Sequence, residues 1–322
     1  MKRLITVVML VVSALWALGA SAQMYPNRPI KLIVADSAGG APDQLGRLLT
    51  EKLSNNVNQP VVVDNRPGAG GALGAELAAK SAPDGYTLLL TTTAIYAILP
   101  NLRKNLPYDP VRDFVPITRI ATASNVLVVN NELPVKDIAE LVKLAKKKPG
   151  ALNYASAGVG TPAHLAGEML NLLADIKVVH VPYKGAAPAL ADVIAGNAQY
   201  IITSPLAAGA HMNGGRVRAL ATTGTQRNPS LPDLATIAET LPGYDITQTW
   251  GIVVPTGTPP EIVNKLSAEI VKVMNQPDVR EKVLATGATP VGDSPAQFEA
   301  FMTKERQRLG DVIAKRGIVL TD

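Results

Sequence analysis

Short apolar runs alternate along the chain with longer segments in which apolar residues recur every three or four positions. The runs predict buried strands, and the longer segments predict amphipathic helices, such as the one expected at residues 135–148. A first set of predicted elements has strands at residues 30–35, 61–64 and 87–90, with one helix at 42–53 and another ending near residue 80. Strands that alternate with helices are typical of parallel sheets with crossover helices.

A second set begins near residue 126 and repeats this alternation. Its predicted strands are 126–129, 152–155, 178–181, 199–203 and 217–222, with one helix starting at 162 and another at 188–195. The chain closes with an apolar stretch at 250–254 and helices at 260–275 and 295–316. Because a domain takes roughly 150 residues, 322 residues of this pattern predict an α/β protein with two lobes.

The first segment has the pattern of an export signal. Lys2 and Arg3 precede an apolar run at residues 4–18, and Ala20-Ser21-Ala22 supplies the small residues of a cleavage site. The run is shorter than the roughly 20 apolar residues that span a bilayer. A lipid anchor would need a cysteine, which the sequence lacks. We expect a signal peptide at 1–22, cleavage after Ala22 and a mature protein in the periplasm of a Gram-negative cell or outside it.

Composition and charge exclude several classes of protein. With 47% hydrophobic residues, 18% charged residues and no cysteine, the chain is neither a disordered protein nor a disulfide-stapled one. Removing Lys2 and Arg3 from the 31 basic residues leaves only a small excess over the 26 acidic ones. The one tight basic run, residues 146–148, ends a predicted helix, where cations favour the helix dipole. Nucleic acid is therefore not an expected partner.

Two distant strand-to-helix junctions share a pattern of small residues followed by proline. One is Ser37-Ala38-Gly39-Gly40-Ala41-Pro42 and the other is Ala157-Gly158-Val159-Gly160-Thr161-Pro162. Glycine lets the backbone approach a ligand closely, and the first turn of a helix offers unpaired N–H groups and a partial positive charge. Such a terminus binds an anion without a basic side chain. One junction in each half suggests two anion cradles facing each other across a cleft; the alternative is that both are only tight connections.

An enzymatic interpretation of the second junction is also open. Ser156 lies at a strand-to-helix turn, as the nucleophile of a hydrolase does, and His180 and His211 follow downstream. Tyr154 replaces the first glycine of the nucleophile-elbow motif, however. A secreted serine hydrolase using Ser156 is therefore an alternative to a binding protein.

The remaining signals for cofactors and metals are weak. Residues 158–163 fit a loose dinucleotide fingerprint, but the next predicted strand ends in Pro182-Tyr183-Lys184 rather than in an acidic residue. His164, His180 and His211 lack metal-ligand spacing and thiolate companions. We expect no cofactor and no metal.

Several segments, spread in order over essentially the whole mature chain, resemble one known family. They are Tyr25-Pro26-Asn27-Arg28-Pro29-Ile30, Asn65-Arg66-Pro67-Gly68-Ala69-Gly70-Gly71, Ala82-Pro83-Asp84-Gly85-Tyr86-Thr87-Leu88, Leu106-Pro107-Tyr108-Asp109-Pro110, Leu152-Asn153-Tyr154-Ala155-Ser156-Ala157-Gly158, Val181-Pro182-Tyr183-Lys184-Gly185, Arg218-Ala219-Leu220-Ala221, Leu231-Pro232-Asp233 and Pro255-Thr256-Gly257-Thr258-Pro259. The sequence resembles the Bug family, the extracytoplasmic solute receptors of tripartite tricarboxylate transporters.

This resemblance implies a type II periplasmic binding protein fold, with lobe I at 23–124 and 247–322 and lobe II at 125–246. It implies a non-enzymatic receptor that closes over a small carboxylate (a di- or tricarboxylate, an aromatic carboxylate or an amino acid) and presents it to the membrane permease subunits of the transporter. A receptor that reports its ligand to a sensor kinase is an alternative. The implied ligand contacts of lobe I are Ser37, Ala38, Gly39, Gly40, Ala41, Thr92 and Thr93. Those of lobe II are Ser156, Ala157, Gly158, Gly160, Thr161, His164, Thr203 and Ser204.

Several implied roles have a structural alternative. The Thr161 hydroxyl would either bind ligand or cap its helix, and His164 would either donate to a carboxylate or pack. Residues 68–71 are interpreted as a tight entry to a helix. Tyr183 and Lys184 fit lobe packing or the cleft rim.

The sequence departs from the family pattern at the cleft. Asp36 stands where an aromatic residue is common, Thr203 stands where many members have an acid, and Pro42 replaces a common hydroxyl residue. A carboxylate beside an anion cradle repels an anion unless the ligand also carries a donor group. We therefore add Asp36 to the candidate site and hypothesise a carboxylate ligand that also bears an ammonium or hydroxyl group. The alternative is that Asp36 caps its loop or faces water.

Overall fold

Two mixed sheets carry the fold of the computed structural model, which describes residues 25–183 and 185–318. The first sheet has six strands in the order β11-β4-β10-β3-β1-β2. Its strands are β1 (Ile30–Val34), β2 (Val61–Asn65), β3 (Thr87–Thr92), β4 (Phe114–Ser124), β10 (Thr247–Pro255) and β11 (Thr289–Pro290). β1 pairs in parallel with β2 and β3, whereas β10 runs antiparallel between β3 and β4.

The second sheet has five strands in the order β7-β6-β8-β5-β9. They are β5 (Val126–Asn130), β6 (Asn153–Ser156), β7 (Val179–Pro182), β8 (Tyr200–Thr203) and β9 (Val217–Thr222). β6 is parallel to β7 and β8, and β5 is antiparallel to β8 and β9. Every residue of β5 and β8 is buried, as expected of strands covered on both faces.

Helices cover both sheets. In chain order they are α1 (Ala41–Val57), α2 (Ala72–Ala79), α3 (Leu99–Leu102), α4 (Ile138–Lys147), α5 (Pro162–Ala174), α6 (Ala186–Ile194), α7 (Pro205–Asn213), α8 (Ile237–Thr240), α9 (Pro260–Met274), α10 (Pro277–Ala285) and α11 (Pro295–Arg316). A 3-10 turn, Ala69–Gly71, precedes α2, and a π-helical segment, Ala94–Ile98, runs into α3.

The chain passes between the sheets at two places. It leaves the first sheet at the end of β4 and enters β5 two residues later, and it returns between β9 and β10. Helix α11 contacts both halves: Phe298 packs edge-on against Tyr96 with ring centroids 6.4 Å apart, and Arg316 forms an ion pair of 2.7 Å with Glu168 of α5. The carboxyl ends of β1 and β6 are followed by loops into helices, and β3 runs directly into a helical stretch. Ligands bind beyond such strand ends in α/β sheets.

The expectation of parallel sheets is wrong for part of each sheet, because the strands next to the two crossings, β4 with β10 and β5 with its neighbours, pair antiparallel. β4, α7, α10 and the helical stretch after β3 were not predicted. Pro42 occupies the second helical position of α1, one later than expected. The signal peptide and the cleavage after Ala22 lie outside the described residues. In residues 25–183 and 185–318, no helix combines the length and the apolar character needed to cross a bilayer. The lobe boundaries stay a prediction.

Candidate ligand-binding site

A cleft of about 420 Å³ opens between segments of the two sheets. The first sheet contributes the loop after β1, the loop after β2, the helical stretch after β3 and one residue of β10, while the second contributes residues 159–162 at the start of α5. The lining residues are Ala35, Asp36, Ser37, Pro42, Pro67, Gly68, Ala69, Gly70, Gly71, Thr92, Ala94, Leu99, Arg103, Val159, Gly160, Thr161, Pro162 and Gln248. Two helices, α1 and α5, thus begin at the cleft with a proline in the first turn.

The loop after β1 is tied down by a buried carboxylate beneath it. The Gly39 N–H donates to Asp43 at 2.8 Å, and Arg47 and Asn65 donate to the same carboxylate at 3.0 Å each. Burial opposes the charge of Asp43, but these hydrogen bonds outweigh it and lower the pKa of the carboxyl. The Gly40 N–H donates to the carbonyl of Ser37 at 3.3 Å. Both glycine N–H groups of this loop are therefore used within the protein.

The loop before α5 is tied down in the same way. The Gly158 N–H donates to Ser156 Oγ at 3.1 Å, and the Gly160 N–H donates to His164 Nδ1 at 3.1 Å. Thr161 Oγ accepts from the His164 N–H as the N-cap of α5 and donates to the Gly158 carbonyl at 2.8 Å. Gly158 and Gly160 have φ of +134° and +78°, a region that favours glycine. The hydroxyl of Thr161 thus serves the backbone.

A stack of rings lies behind this second loop. His180 stacks on His164 with ring centroids 3.9 Å apart and on Tyr154 at 4.9 Å, and its Nε2 lies 2.6 Å from Ser156 Oγ. Burial lowers the pKa of His180 to about 4, with the neighbouring His164 adding to the shift and Glu168 opposing it. Burial also lowers the pKa of His164. Both rings are therefore neutral at pH 7, and His164 Nδ1 accepts a hydrogen bond from the loop.

The close approach of Ser156 to His180 is the feature that a serine hydrolase would need. Ser156 is fully buried, however, and its Oγ is held by the backbone of Gly158 as well as by His180. A substrate carbonyl cannot reach Oγ in this arrangement. The pair is better explained as support for the loop.

Two charged residues occur in the cleft lining, Asp36 and Arg103. Asp36 is exposed and accepts a hydrogen bond from the Ser37 N–H at 2.7 Å. Arg103 follows α3 and is half-buried. Within residues 25–183 and 185–318, no group of three or more histidine and acidic side chains could hold a metal ion.

The structure brings five of the sequence-predicted site residues to the cleft surface. They are Asp36, Ser37, Thr92, Gly160 and Thr161. The others, Ala38, Gly39, Gly40, Ala41, Thr93, Ser156, Ala157, Gly158, His164, Thr203 and Ser204, lie outside the lining.

Local contacts explain several of these positions. Thr93 is buried and accepts from the Thr249 N–H at 2.9 Å, Thr203 is buried in β8, and Ser204 caps α7. The ligand role of every predicted residue stays a prediction.

A large part of the cleft wall was not predicted from the sequence. Residues 68–71, interpreted as a helix entry, line the cleft together with Pro67, and so do Leu99, Arg103 and Gln248. Because β2 is parallel to β1, the loop that follows it opens at the same edge of the sheet. That topological argument could have placed residues 67–71 at the cleft, whereas nothing in the sequence pattern singles out Arg103.

Known proteins resemble this chain along nearly all of its length. Residues 45–318 match the family described as the tripartite tricarboxylate transporter family receptor. Protein BugT of Bordetella pertussis is 35% identical over 323 residues, covering 99% of each chain. The structure of R. palustris Rpa4515 with adipate is 34% identical with a TM-score of 0.80, covering 92% of this chain and 99% of that one. MatC (Rpa3494) from Rhodopseudomonas palustris with bound malate is 30% identical with a TM-score of 0.75, covering 90% of this chain and 100% of that one.

The chain belongs to the tripartite tricarboxylate transporter receptor family. The resemblance to the Bug proteins and the two-lobed type II periplasmic binding fold are thereby confirmed. As a member of this family of periplasmic solute-binding receptors, the protein is expected to use its cleft for a solute. Members of the family bind solutes without transforming them, which agrees with the burial of Ser156.

Proposed function

We propose that this receptor captures a small carboxylate in the cleft between its two sheets and presents it to membrane permease subunits from the periplasm. The observation that carries the proposal is the convergence of α1 and α5 on one cleft, with Pro42 and Pro162 both in its lining. Each helix start carries a partial charge of roughly +0.5. The hydroxyl residues Ser37 and Thr92 stand beside them.

The relatives support a carboxylate as the ligand. Adipate accompanies Rpa4515 and malate is bound to MatC. Both are small dicarboxylates that a cleft of about 420 Å³ can accommodate. Closure of one lobe over the other would place the anion between two helix starts, and those contacts favour the closed state.

Asp36 further restricts the chemical class of the ligand. Its carboxylate belongs to the same lining as the helix starts and has no cation within 4 Å among the described residues. An anion placed there is repelled unless it also offers a donor group. The ligand is a carboxylate that also bears a hydroxyl or ammonium group.

A ligand screen tests the carboxylate proposal. Thermal unfolding of the mature protein should shift upward with particular carboxylic acids, because a ligand present at 100 times its Kd stabilises the folded state by about 2.7 kcal/mol. Ala94 lines the cleft, so Ala94→Trp should abolish the shift. Ala314→Trp, on the exposed side of α11, is the matched control and should keep it. A screen in which no carboxylate stabilises the wild type refutes the proposal.

Asp36→Asn tests the donor-group hypothesis. The wild type should bind a hydroxy or amino acid more tightly than the plain diacid of the same length, and the variant should narrow that preference. Isothermal titration with malate, aspartate and succinate measures the ranking. The same ranking in both proteins would show that Asp36 does not face the ligand.

Ser156→Ala separates the receptor from a hydrolase. A receptor variant should still bind the acid found in the screen, and the wild type should not turn over ester substrates. Ester hydrolysis that disappears in the variant would favour the enzyme.

The role in transport is tested by measuring uptake in intact cells. Deleting this receptor should abolish uptake of the identified acid, and so should deleting the permease. Uptake that persists without the permease while ligand-dependent transcription is lost would instead favour a receptor for a sensor kinase.

A further inference from the structure

Arg103 lies at the boundary between the cleft and a second groove. It is part of the cleft lining, and it also lines an open groove of about 480 Å³ that includes Lys104 and Arg306. It follows Ala94 and Leu99 along the helical stretch after β3, and those two apolar residues line the cleft as well. A ligand that extends from the helix starts along this wall would pass apolar side chains before it meets a guanidinium.

The guanidinium of Arg103 has no counter-ion among residues 25–183 and 185–318. No carboxylate oxygen of the described residues lies within 4 Å of it, and its Nε is buried without a hydrogen-bond partner. Three other partly buried arginines are paired: Arg119 with Asp293 at 2.5 Å, Arg308 with Glu305 at 2.5 Å, and Arg316 with Glu168 at 2.7 Å. Of the remaining half-buried arginines among the described residues, Arg218 donates to the carbonyls of Leu133 and Val135, and Arg306 lies outside the cleft lining.

Burying the Nε of Arg103 without a hydrogen-bond partner costs free energy. The cost is offset when an anion enters the cleft, since a charge-assisted hydrogen bond to a carboxylate is among the stronger polar contacts. Asp36 shares the lining but does not pair with Arg103. The two charges are therefore separate points of recognition within one cleft.

We propose that Arg103 is a specificity-determining residue, which binds the second acidic group of a ligand whose first carboxylate lies at the starts of α1 and α5. This inference rests on the proposed function and adds that the cleft selects acids with two acidic groups joined by a short apolar spacer. The apolar spacer would lie against Ala94 and Leu99.

The test compares diacids with monoacids of the same carbon number, succinate with butyrate and adipate with hexanoate, by isothermal titration. In the wild type, the diacid that binds best should bind more tightly than its matched monoacid. Arg103→Gln should weaken diacid binding by about tenfold or more, since it removes a charge-assisted hydrogen bond. It should change monoacid binding less than threefold, about the range of ordinary context effects. Arg103→Lys should restore part of the loss, because it keeps the charge without the planar fork.

Arg306→Gln is the matched control, since Arg306 shares the outer groove but is absent from the cleft lining. It should leave both affinities unchanged. Circular dichroism and thermal unfolding of each variant show that a lost affinity is not a lost fold. Weaker diacid binding should also be accompanied by a smaller dependence on salt in Arg103→Gln than in the wild type.

The outcomes separate this inference from the proposed function. If the wild type binds monoacids as tightly as diacids, or if Arg103→Gln weakens both equally or neither, the inference is overturned and the carboxylate receptor stands. If the wild type binds no carboxylate of the screen, the proposed function fails and the inference fails with it.

Discussion

The stacked histidines behind the second loop should make the receptor sensitive to acid. Burial and the adjacent His164 hold the pKa of His180 at about 4, below the value near 6.5 that it has in an unfolded chain. Between pH 4 and pH 6.5, His180 is protonated in the unfolded chain but neutral in the folded protein. The contribution of His180 to the free energy of unfolding is therefore fully present above pH 6.5 and is lost as the pH falls toward 4.

The size of this loss follows from the shift. A difference of about 2.5 pH units is worth at most about 3 kcal/mol, of which up to about 2.5 kcal/mol is lost by pH 4.5; solvent around the half-buried ring reduces both figures. His164 has a pKa shifted in the same direction and adds to the loss. Glu168 is the acidic group that faces the pair: it accepts from Tyr154 at 2.8 Å and pairs with Arg316, and its charge reduces the shift of both histidines.

Urea unfolding at pH 7.5 and pH 4.5 measures this effect. Wild type should lose more stability between the two conditions than His180→Gln, by up to about 2.5 kcal/mol, although the variant is less stable at pH 7.5 because it lacks the stacking ring. His211→Gln, outside the stack, is the matched control and should follow the wild type. If wild type and His180→Gln lose stability in parallel, the buried imidazole is not the source of the acid sensitivity and the reasoning is refuted.

Two further predictions concern the support of the cleft. A Cβ at Gly74 of α2 would lie 2.6 Å from the Cβ of Ala35, which lines the cleft, so Gly74→Ala should cost about 1–3 kcal/mol and weaken ligand binding. Gly209→Ala has open space around its new methyl and should be neutral or stabilise by up to about 1 kcal/mol; thermal unfolding and titration compare the two, and equal effects would contradict the packing argument. Arg316→Gln leaves the buried Glu168 without its cation and should cost about 1–3 kcal/mol in urea unfolding. Adding Glu168→Gln to that variant should recover part of the loss, and additive losses would show that the pair is not coupled.

Elements with strong local signals could be predicted from the sequence. The predicted helix at 295–316 has the same bounds as α11, because Ser294 and Gln297 form a capping box at its start and Gly317, with φ of +60°, ends it. The strand at 217–222 was predicted with the bounds of β9.

β4 was missed for a local reason. It contains Pro116, which argues against a central strand, and its pairing with β10 is interrupted by a register shift between Ile252 and Val253, with Val253 opposite that proline. The irregularity accommodates the proline in the pairing of β4 with β10, and β11 pairs only with Ala121 and Thr122 of β4. Such an accommodation depends on the neighbouring strand, which the local pattern of residues 114–124 does not show.

The residues of the candidate site also differ in whether the sequence could predict them. The two glycine loops could be found because their composition reports the backbone conformation they need. Arg103 could not be predicted, because its proposed role rests on the lack of a nearby carboxylate among the described residues, and the pairing of charges is decided by tertiary contacts. A lysine or arginine in a sequence is most often solvated, so the sequence alone favours a solvated Arg103 over one that binds ligand.

The hydrogen bonds inside the two loops change how the site is expected to bind. The N–H groups of Gly39 and Gly160 donate to Asp43 and His164, so these two groups hold the loops in shape. Loops fixed in this way lose their conformational freedom on folding, and binding does not have to order them again. Because these N–H groups are used within the protein, few hydrogen-bonding groups of the loops remain to discriminate among ligands. The helix starts attract any anion, so discrimination is expected from the two charged side chains in the lining, Asp36 and Arg103. Relatives that keep the loops but replace these two residues are therefore expected to keep the affinity for a carboxylate and to change which carboxylate is preferred.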